Sequence, residues 1–269
     1  SMEVMNNTQK TIIIKKSDNG VSKIILNQPE KHNALSPFMI KELSESFDQL
    51  KEDRHTKVLI ISAEGKSFCA GGDLDWMKEQ ILSDRQTRIH EARKLADLLY
   101  KMYLFPKPLI AQVEGNAFGG GIGIISVCDV AISNENIKLA LTEAKLGLIP
   151  ATISPYVISK IGSSNATDLF TSARTFFPPE AKNIGLIKSF CNEENIDNVI
   201  NEETHFFLVN GPSAVSASKN LVRNLSAKID EDTIKFTVEA LADVWENPES
   251  IEGINAFFEK RKPNWIMEK

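Results

Sequence analysis

Long apolar runs are missing from this chain of 269 residues, and none reaches the roughly 18 residues a bilayer-spanning helix needs. Cysteine is scarce: Cys69, Cys128 and Cys191 are odd in number, widely spaced, and form neither C-x-x-C nor a Cys/His ligand pattern. That excludes a disulfide framework and a zinc site, and it points to a reducing compartment. An excess of basic residues is also lacking. The formal net charge is −5, against a dedicated nucleic-acid binder. Arg85, Arg88, Arg93, Lys94, Lys101 and Lys107 do cluster, but Asp84, Glu91 and Asp97 interleave with them, which predicts a solvated helix face. The first ten residues are polar and hold no signal-peptide core, so a cytoplasmic protein is expected. There is no G-x-x-x-x-G-K-[ST], G-x-G-x-x-G or G-x-S-x-G, and His32, His55, His90 and His205 have no metal-ligand spacing. No internal repeat is visible.

What is present is glycine in two places. Phe68-Cys69-Ala70-Gly71-Gly72-Asp73-Leu74 and Asn116-Ala117-Phe118-Gly119-Gly120-Gly121-Ile122-Gly123 each follow an apolar run that reads as a strand, 58–62 and 109–113. Each also precedes the start of a helical stretch. Such junctions offer free backbone N–H groups at the positive end of a helix dipole, and glycine lets a bound group approach closely. Two of them can converge on one developing negative charge, as in an oxyanion hole; tight turns are the plain alternative. Cys69, inside the first segment, reads as a small buried residue rather than a nucleophile.

Around these segments the pattern alternates. Residues 11–16 and 21–26 flank the turn Asp18-Asn19-Gly20 as a hairpin. Ser36-Pro37 opens a helix, 57–62 is a strand, 84–105 a long helix ended by prolines, and 130–133 a strand. Alternation of this kind predicts an α/β fold with parallel strands and right-handed crossovers. Short helices are expected at 154–161, 166–171 and 179–185. From Ile196 the chain reads as helical almost throughout, with breaks at Gly211-Pro212 and Asn247-Pro248. Those last helices find few partners in their own sequence, which suggests packing across a subunit boundary.

The glycine segments resemble the F-x-A-G-x-D-L and N-G-x-A-x-G-G-G…C-D blocks of the enoyl-CoA hydratase/isomerase (crotonase) superfamily, with Cys128-Asp129 closing the second. Leu26-Asn27-Gln28-Pro29-Glu30-Lys31-His32-Asn33-Ala34-Leu35 and Glu143-Ala144-Lys145-Leu146-Gly147-Leu148-Ile149-Pro150 resemble two further blocks, and Phe258-Glu259-Lys260-Arg261-Lys262-Pro263 the family ending. The resemblance implies a crotonase-like spiral of ββα turns over 1–200, holding the CoA and active sites. A C-terminal helical trimerisation region over 201–269 would make a homotrimer or a dimer of trimers.

The resemblance also implies an acyl-CoA thioester as substrate with no tightly bound cofactor, while the residue spacing, net charge and short apolar runs add the expectation of no metal and no nucleic-acid or membrane partner. It assigns the oxyanion donors to the N–H groups of Gly72 and Gly120 and the acid/base to Glu143. Apolar neighbours such as Leu141, Leu146 and Leu148 should raise the pKa of that carboxyl. CoA contacts fall on Lys31, Ala34, Leu35, Ala70, Asp73 and Leu74, with Lys260 and Lys262 as further phosphate contacts. The family hydratases carry a second glutamate where this chain has Gly123.

Residues 141–157 and the Gly-Gly-Gly-x-Gly form resemble the methylglutaconyl-CoA hydratase branch of leucine and isoprenoid breakdown. That implies a branched 2-enoyl-CoA, whose far carboxylate could meet Lys145, Lys160 or Arg174. A single-glutamate enoyl-CoA isomerase and a non-catalytic acyl-CoA-binding protein of the same fold remain open alternatives.

Overall fold

A hairpin begins the main sheet, as the turn signal requires. The structure, a computed structural model, describes residues 2–5 and 10–268. A strand not foreseen from the sequence, β1 (Met2–Val4), runs antiparallel to β2 (Ile12–Ser17), which pairs antiparallel with β3 (Val21–Leu26). Gly20 sits at φ 94°, a conformation that a side chain would strain. Helix α1 (Pro37–Glu52) is capped by Ser36, whose Oγ accepts from the Met39 N–H.

Next come β4 (Val58–Ala63), β5 (Ser67–Cys69), α2 (Leu74–Leu82) and α3 (Arg85–Tyr103). They are followed by β6 (Leu109–Val113), β7 (Asn116–Phe118) and α4 (Gly120–Val127), then β8 (Val130–Asn134) and β9 (Leu139–Ala140). α5 (Ser154–Ser172) and α6 (Pro178–Asn183) lead to β10 (Ser189–Cys191) and to four helices: α7 (Ile196–Leu208), α8 (Pro212–Leu225), α9 (Glu231–Trp245) and α10 (Pro248–Phe258). Gly162, at φ 80°, kinks α5 between the two short helices expected there.

Two sheets organise these elements. The larger has the order β1-β2-β3-β4-β6-β8-β10 and is parallel from β3 onward. The smaller is β5-β7-β9, all parallel. Successive units β4-β5-α2, β6-β7-α4 and β8-β9-α5 each give one strand to each sheet, so the expected spiral of ββα turns is present. The strands of the large sheet are buried runs because both faces are covered. The main core lies on one side, and Ile196 and Ile200 of α7 pack against Val21, Val58, Ile60, Ile110 and Ile132 on the other.

Two expectations change. The glycine segments leave the small sheet, not the large one, because β5 and β7 intervene after the longer strands. The basic face of α3 is not free in solvent. Arg85 binds Asp243 and Glu246, Arg93 binds Glu231, Lys101 binds Asp48, and Lys107 donates to the Leu50 and Asp53 carbonyls. These cations hold α3 to α1 and α9, and Ala92 and Ala96 pack on Ile234 and Val238 beneath them. Among the late helices, α7, α9 and α10 bury residues within this chain; α8 has none buried.

Candidate active site

Three parallel strands end side by side, and the chemistry sits just beyond their ends. Cys69 of β5 is in register with Ala117 of β7, and Ala117 and Phe118 with Leu139 and Ala140 of β9. Neighbouring strands lie about 4.8 Å apart. The turns that follow, 70–72, 119–120 and 141–143, therefore meet in one place, as ligand sites in α/β sheets do at carboxyl strand ends. A Cβ on Gly71 would lie 3.2 Å from the Gly120 nitrogen and 2.8 Å from the Phe118 oxygen. Gly119 has φ 50° and ψ −117°, open only to glycine, and a Cβ there would lie 2.9 Å from Glu143 Oε2. Among the described residues neither the Gly72 N–H nor the Gly120 N–H donates to a protein acceptor. Gly120 is the first residue of α4, whose opening N–H groups have no partner within the helix.

Glu143 stands on a short 3-10 turn, Thr142–Leu146, braced by α10. A Cβ on Gly147 would come within 2.3 Å of the Glu249 carbonyl oxygen, and one on Gly253 within 2.3 Å of the Leu146 oxygen. Although the residue as a whole is only partly buried, Oε1 is sealed from solvent and has no hydrogen-bond partner. Removal from water raises its pKa to about 7, as its apolar neighbours led one to expect. A carboxyl poised near neutrality can both take and return a proton.

The cleft that unites these groups holds about 820 Å³ of empty space counted out to its mouth. Gly72, Gly120 and Glu143 line one part of it, and Leu148, Ile149, Pro150, Leu241 and Trp245 form an apolar wall. Gly123 contributes no side chain, and the space beside it is filled: a Cβ there would lie 2.2 Å from Ile153 Cγ2 and 2.8 Å from Ile153 Cβ. The second glutamate of the family pattern is thus absent, and Ile153 closes its place. Cys69 is fully buried, and burial pushes its thiol up to about 12, so it is no nucleophile.

The residues expected to hold CoA fall beside this centre in varying degree. Leu35 lines the cleft and, like Ala34, is buried. Their segment is tied to the first glycine turn by Leu35 N–H to Gly71 O, 2.7 Å, and Ala70 N–H to His32 O, 2.9 Å. Asn33 fixes that fold-back. At φ 53° and wholly buried, it donates to the Glu64 and Ser67 carbonyls and accepts from the Gln28 N–H. Lys31 and Leu74 are exposed nearby and Ala70 is half-buried. Asp73 is the N-cap of α2, its carboxylate accepting from the Trp76 N–H at 3.0 Å.

Other expected cations lie elsewhere. Lys145 is exposed, Lys160 sits 3.4 Å from the Asp129 carbonyl oxygen, and Arg174 is paired with Asp168 and Glu180; none belongs to the described lining. Lys260 and Lys262 are exposed beyond α10, also outside it. Sequence reasoning missed Trp76, Met77, Glu91, Lys94, Ile153, Leu241 and Trp245, all of which line the cleft. Leu241 and Trp245 come from beyond residue 200, the expected limit of the active-site region. Only their apolar spacing on amphipathic helices was legible, and that spacing is the same for any core residue.

Comparison with known proteins finds relatives over nearly the whole chain. The family profile described as Enoyl-CoA hydratase/isomerase matches residues 16–268. A short-chain-enoyl-CoA hydratase of Clostridium acetobutylicum is 30% identical over 257 residues, 93% of this chain and 95% of that protein. Among solved structures, an enoyl-CoA hydratase from Shewanella pealeana superposes with a TM-score of 0.79 and 36% identity, covering 96% of this chain and 97% of the other. One from Mycobacterium avium gives 0.80 and 27%, covering 92% and 94%.

Proposed function

The chain belongs to the enoyl-CoA hydratase/isomerase (crotonase) family, and from that premise we propose that it hydrates a 2-enoyl-CoA with Glu143 as its acid/base. One observation carries this reading: the Glu143 carboxyl stands in the same cleft as the two undonated N–H groups of Gly72 and Gly120. The thioester oxygen would accept from both groups, each contributing about 3 kcal/mol to holding the enolate charge. The dipole of α4 adds to the effect at Gly120. Glu143 takes a proton from water as the water oxygen bonds to C3. It then gives that proton to C2, so water adds across the double bond and the carboxylate is restored.

The CoA portion would run past Lys31, Ala34, Leu35, Ala70 and Leu74, with no tightly bound cofactor. A branched acyl group of methylglutaconyl type is the finer reading. The apolar wall suits its hydrocarbon part, and a far carboxylate would meet Lys94, which gives one of its three N–H donors to Glu91. The exposed apolar residues of α8 support assembly into a homotrimer or a dimer of trimers. Among the described residues no helix is long and apolar enough to cross a membrane; a cytoplasmic location is part of the same reading.

Glu143→Gln should lower turnover by about a thousandfold or more while leaving binding of a saturated acyl-CoA nearly unchanged. A variant that keeps most of its activity would sink the assignment. The filled space at Gly123 favours a second reading, a one-carboxylate isomerase that moves a proton from C4 to C2. Loss of the conjugated-thioester absorbance with a 2-enoyl ester means hydration; its gain with a 3-enoyl ester means isomerisation.

A further inference from the structure

Hydration makes a demand that isomerisation does not: the attacking water must be held with a lone pair facing C3. Glu143 can bind only one of its hydrogens while it removes that proton. The place from which a second glutamate would hold the other is closed by Ile153 against Gly123. Among the described lining residues the one further carboxylate is Glu91, on the cleft side of α3, beside Ala92 and one turn before Leu95.

Its surroundings distinguish it from an ordinary surface glutamate. The Glu91 side chain is only 18% exposed, and its Oε1 is 2.9 Å from the Lys94 ammonium. Lys94 lines both the cleft and an outer groove between α1 and α3 lined by Pro37, Ile40 and Asp97, and its side chain, 42% exposed, is more open than that of Glu91. Arg88, one turn earlier, donates to the Gln80 and Ile81 carbonyls and does not compete for Glu91. Across the helix, Arg93 is engaged by Asp97 and Glu231. Lys94 thus holds one Glu91 oxygen, and Glu91 lines the same cleft as Glu143.

We propose that Glu91 holds the attacking water, accepting a hydrogen bond from the hydrogen that Glu143 does not remove. This rests on the hydration reading above. No proton is transferred to Glu91. One water hydrogen passes to Glu143 and on to C2, the other stays on the new C3 hydroxyl, and Glu91 only fixes the orientation.

The test separates water-holding from general damage. Glu91→Leu removes the acceptor and keeps apolar bulk. Hydration kcat should fall about a hundredfold with KM within about twofold. Exchange of the C2 hydrogen of a saturated acyl-CoA in deuterated water needs Glu143 and the two N–H groups but no attacking water. It should stay within about twofold of the unsubstituted rate. Glu91→Gln, which retains a weaker acceptor, should fall in between for hydration. Unchanged hydration in Glu91→Leu overturns the proposal, as does a parallel loss of hydration and exchange, since Glu91 would then act through structure alone. If the unsubstituted protein exchanges C2 hydrogen but hydrates no enoyl ester, the hydratase reading itself fails and this role falls with it.

Discussion

At the scale of single residues, Glu143 carries a cost that the chemistry proposed for it requires. Burial raises its pKa from 4.5 to about 7. Below about 4.5 the carboxyl is neutral in both folded and unfolded chains, and the native state has its full stability. As pH rises through about 7, the folded protein must hold a buried charge, and on the order of 3 kcal/mol of stability is lost. Glu143→Gln removes that titration. Its melting temperature relative to the unsubstituted protein should therefore climb between about pH 5 and pH 8; a constant offset would contradict the buried-carboxyl account. Activity has the opposite slope. Taking a proton from water needs the ionised form, so kcat/KM should rise with pH through about 7.

Among elements, the contact between α4 and the 151–153 turn decides what the second glycine segment can do. Gly123 is a glycine because Ile153 occupies the volume its side chain would take. Gly123→Ala should cost about 1–3 kcal/mol by overpacking, read from urea unfolding. Gly123→Ala combined with Ile153→Ala should cost less than the two single changes summed, because the second removes the Cγ2 clash at 2.2 Å and leaves only the Cβ at 2.8 Å. Strict additivity would show that the two side chains do not compete for that space. The fold-back of residues 31–35 is an element-scale device of the same kind. Two consecutive left-handed residues, His32 and Asn33, place Leu35 against Gly71 and Gly72, and the three side-chain hydrogen bonds of Asn33 hold them there.

For the whole molecule, α8 is the outlier. It reaches the core through Lys219 and Arg223, both paired with Asp129, while Leu221, Val222 and Leu225 stay 60%, 56% and 79% exposed. Apolar side chains grouped on one helix that buries nothing of its own are what a subunit contact would cover. Leu221→Lys with Leu225→Lys should shift the sedimentation coefficient from an oligomer toward a monomer, with the far-ultraviolet circular dichroism unchanged. A monomer before substitution would remove the case for assembly through this face.

Glu143 is named through the family resemblance; the glycine junctions, the hairpin and the alternation of strands and helices are read from the residues themselves. Each of these is set by neighbours a few residues away: a turn that needs glycine, a period of two or 3.6, a cap, a proline. Short strands such as β5, β7 and β9 leave almost no periodic signal in two or three residues, so the small sheet was illegible, and with it the reason the three turns meet. The same limit hid Glu91, Ile153 and Trp245. Their importance lies in what faces them across the cleft, and distance in space is not encoded in spacing along the chain. The sequence by itself therefore determined the glycine junctions and, through the family resemblance, which groups are proposed to hold an enolate and move a proton. Tertiary packing alone decided that a side chain of the 151–153 turn closes the second carboxylate position and that α3 and α9 wall the cleft, because those are contacts between segments up to a hundred residues or more apart.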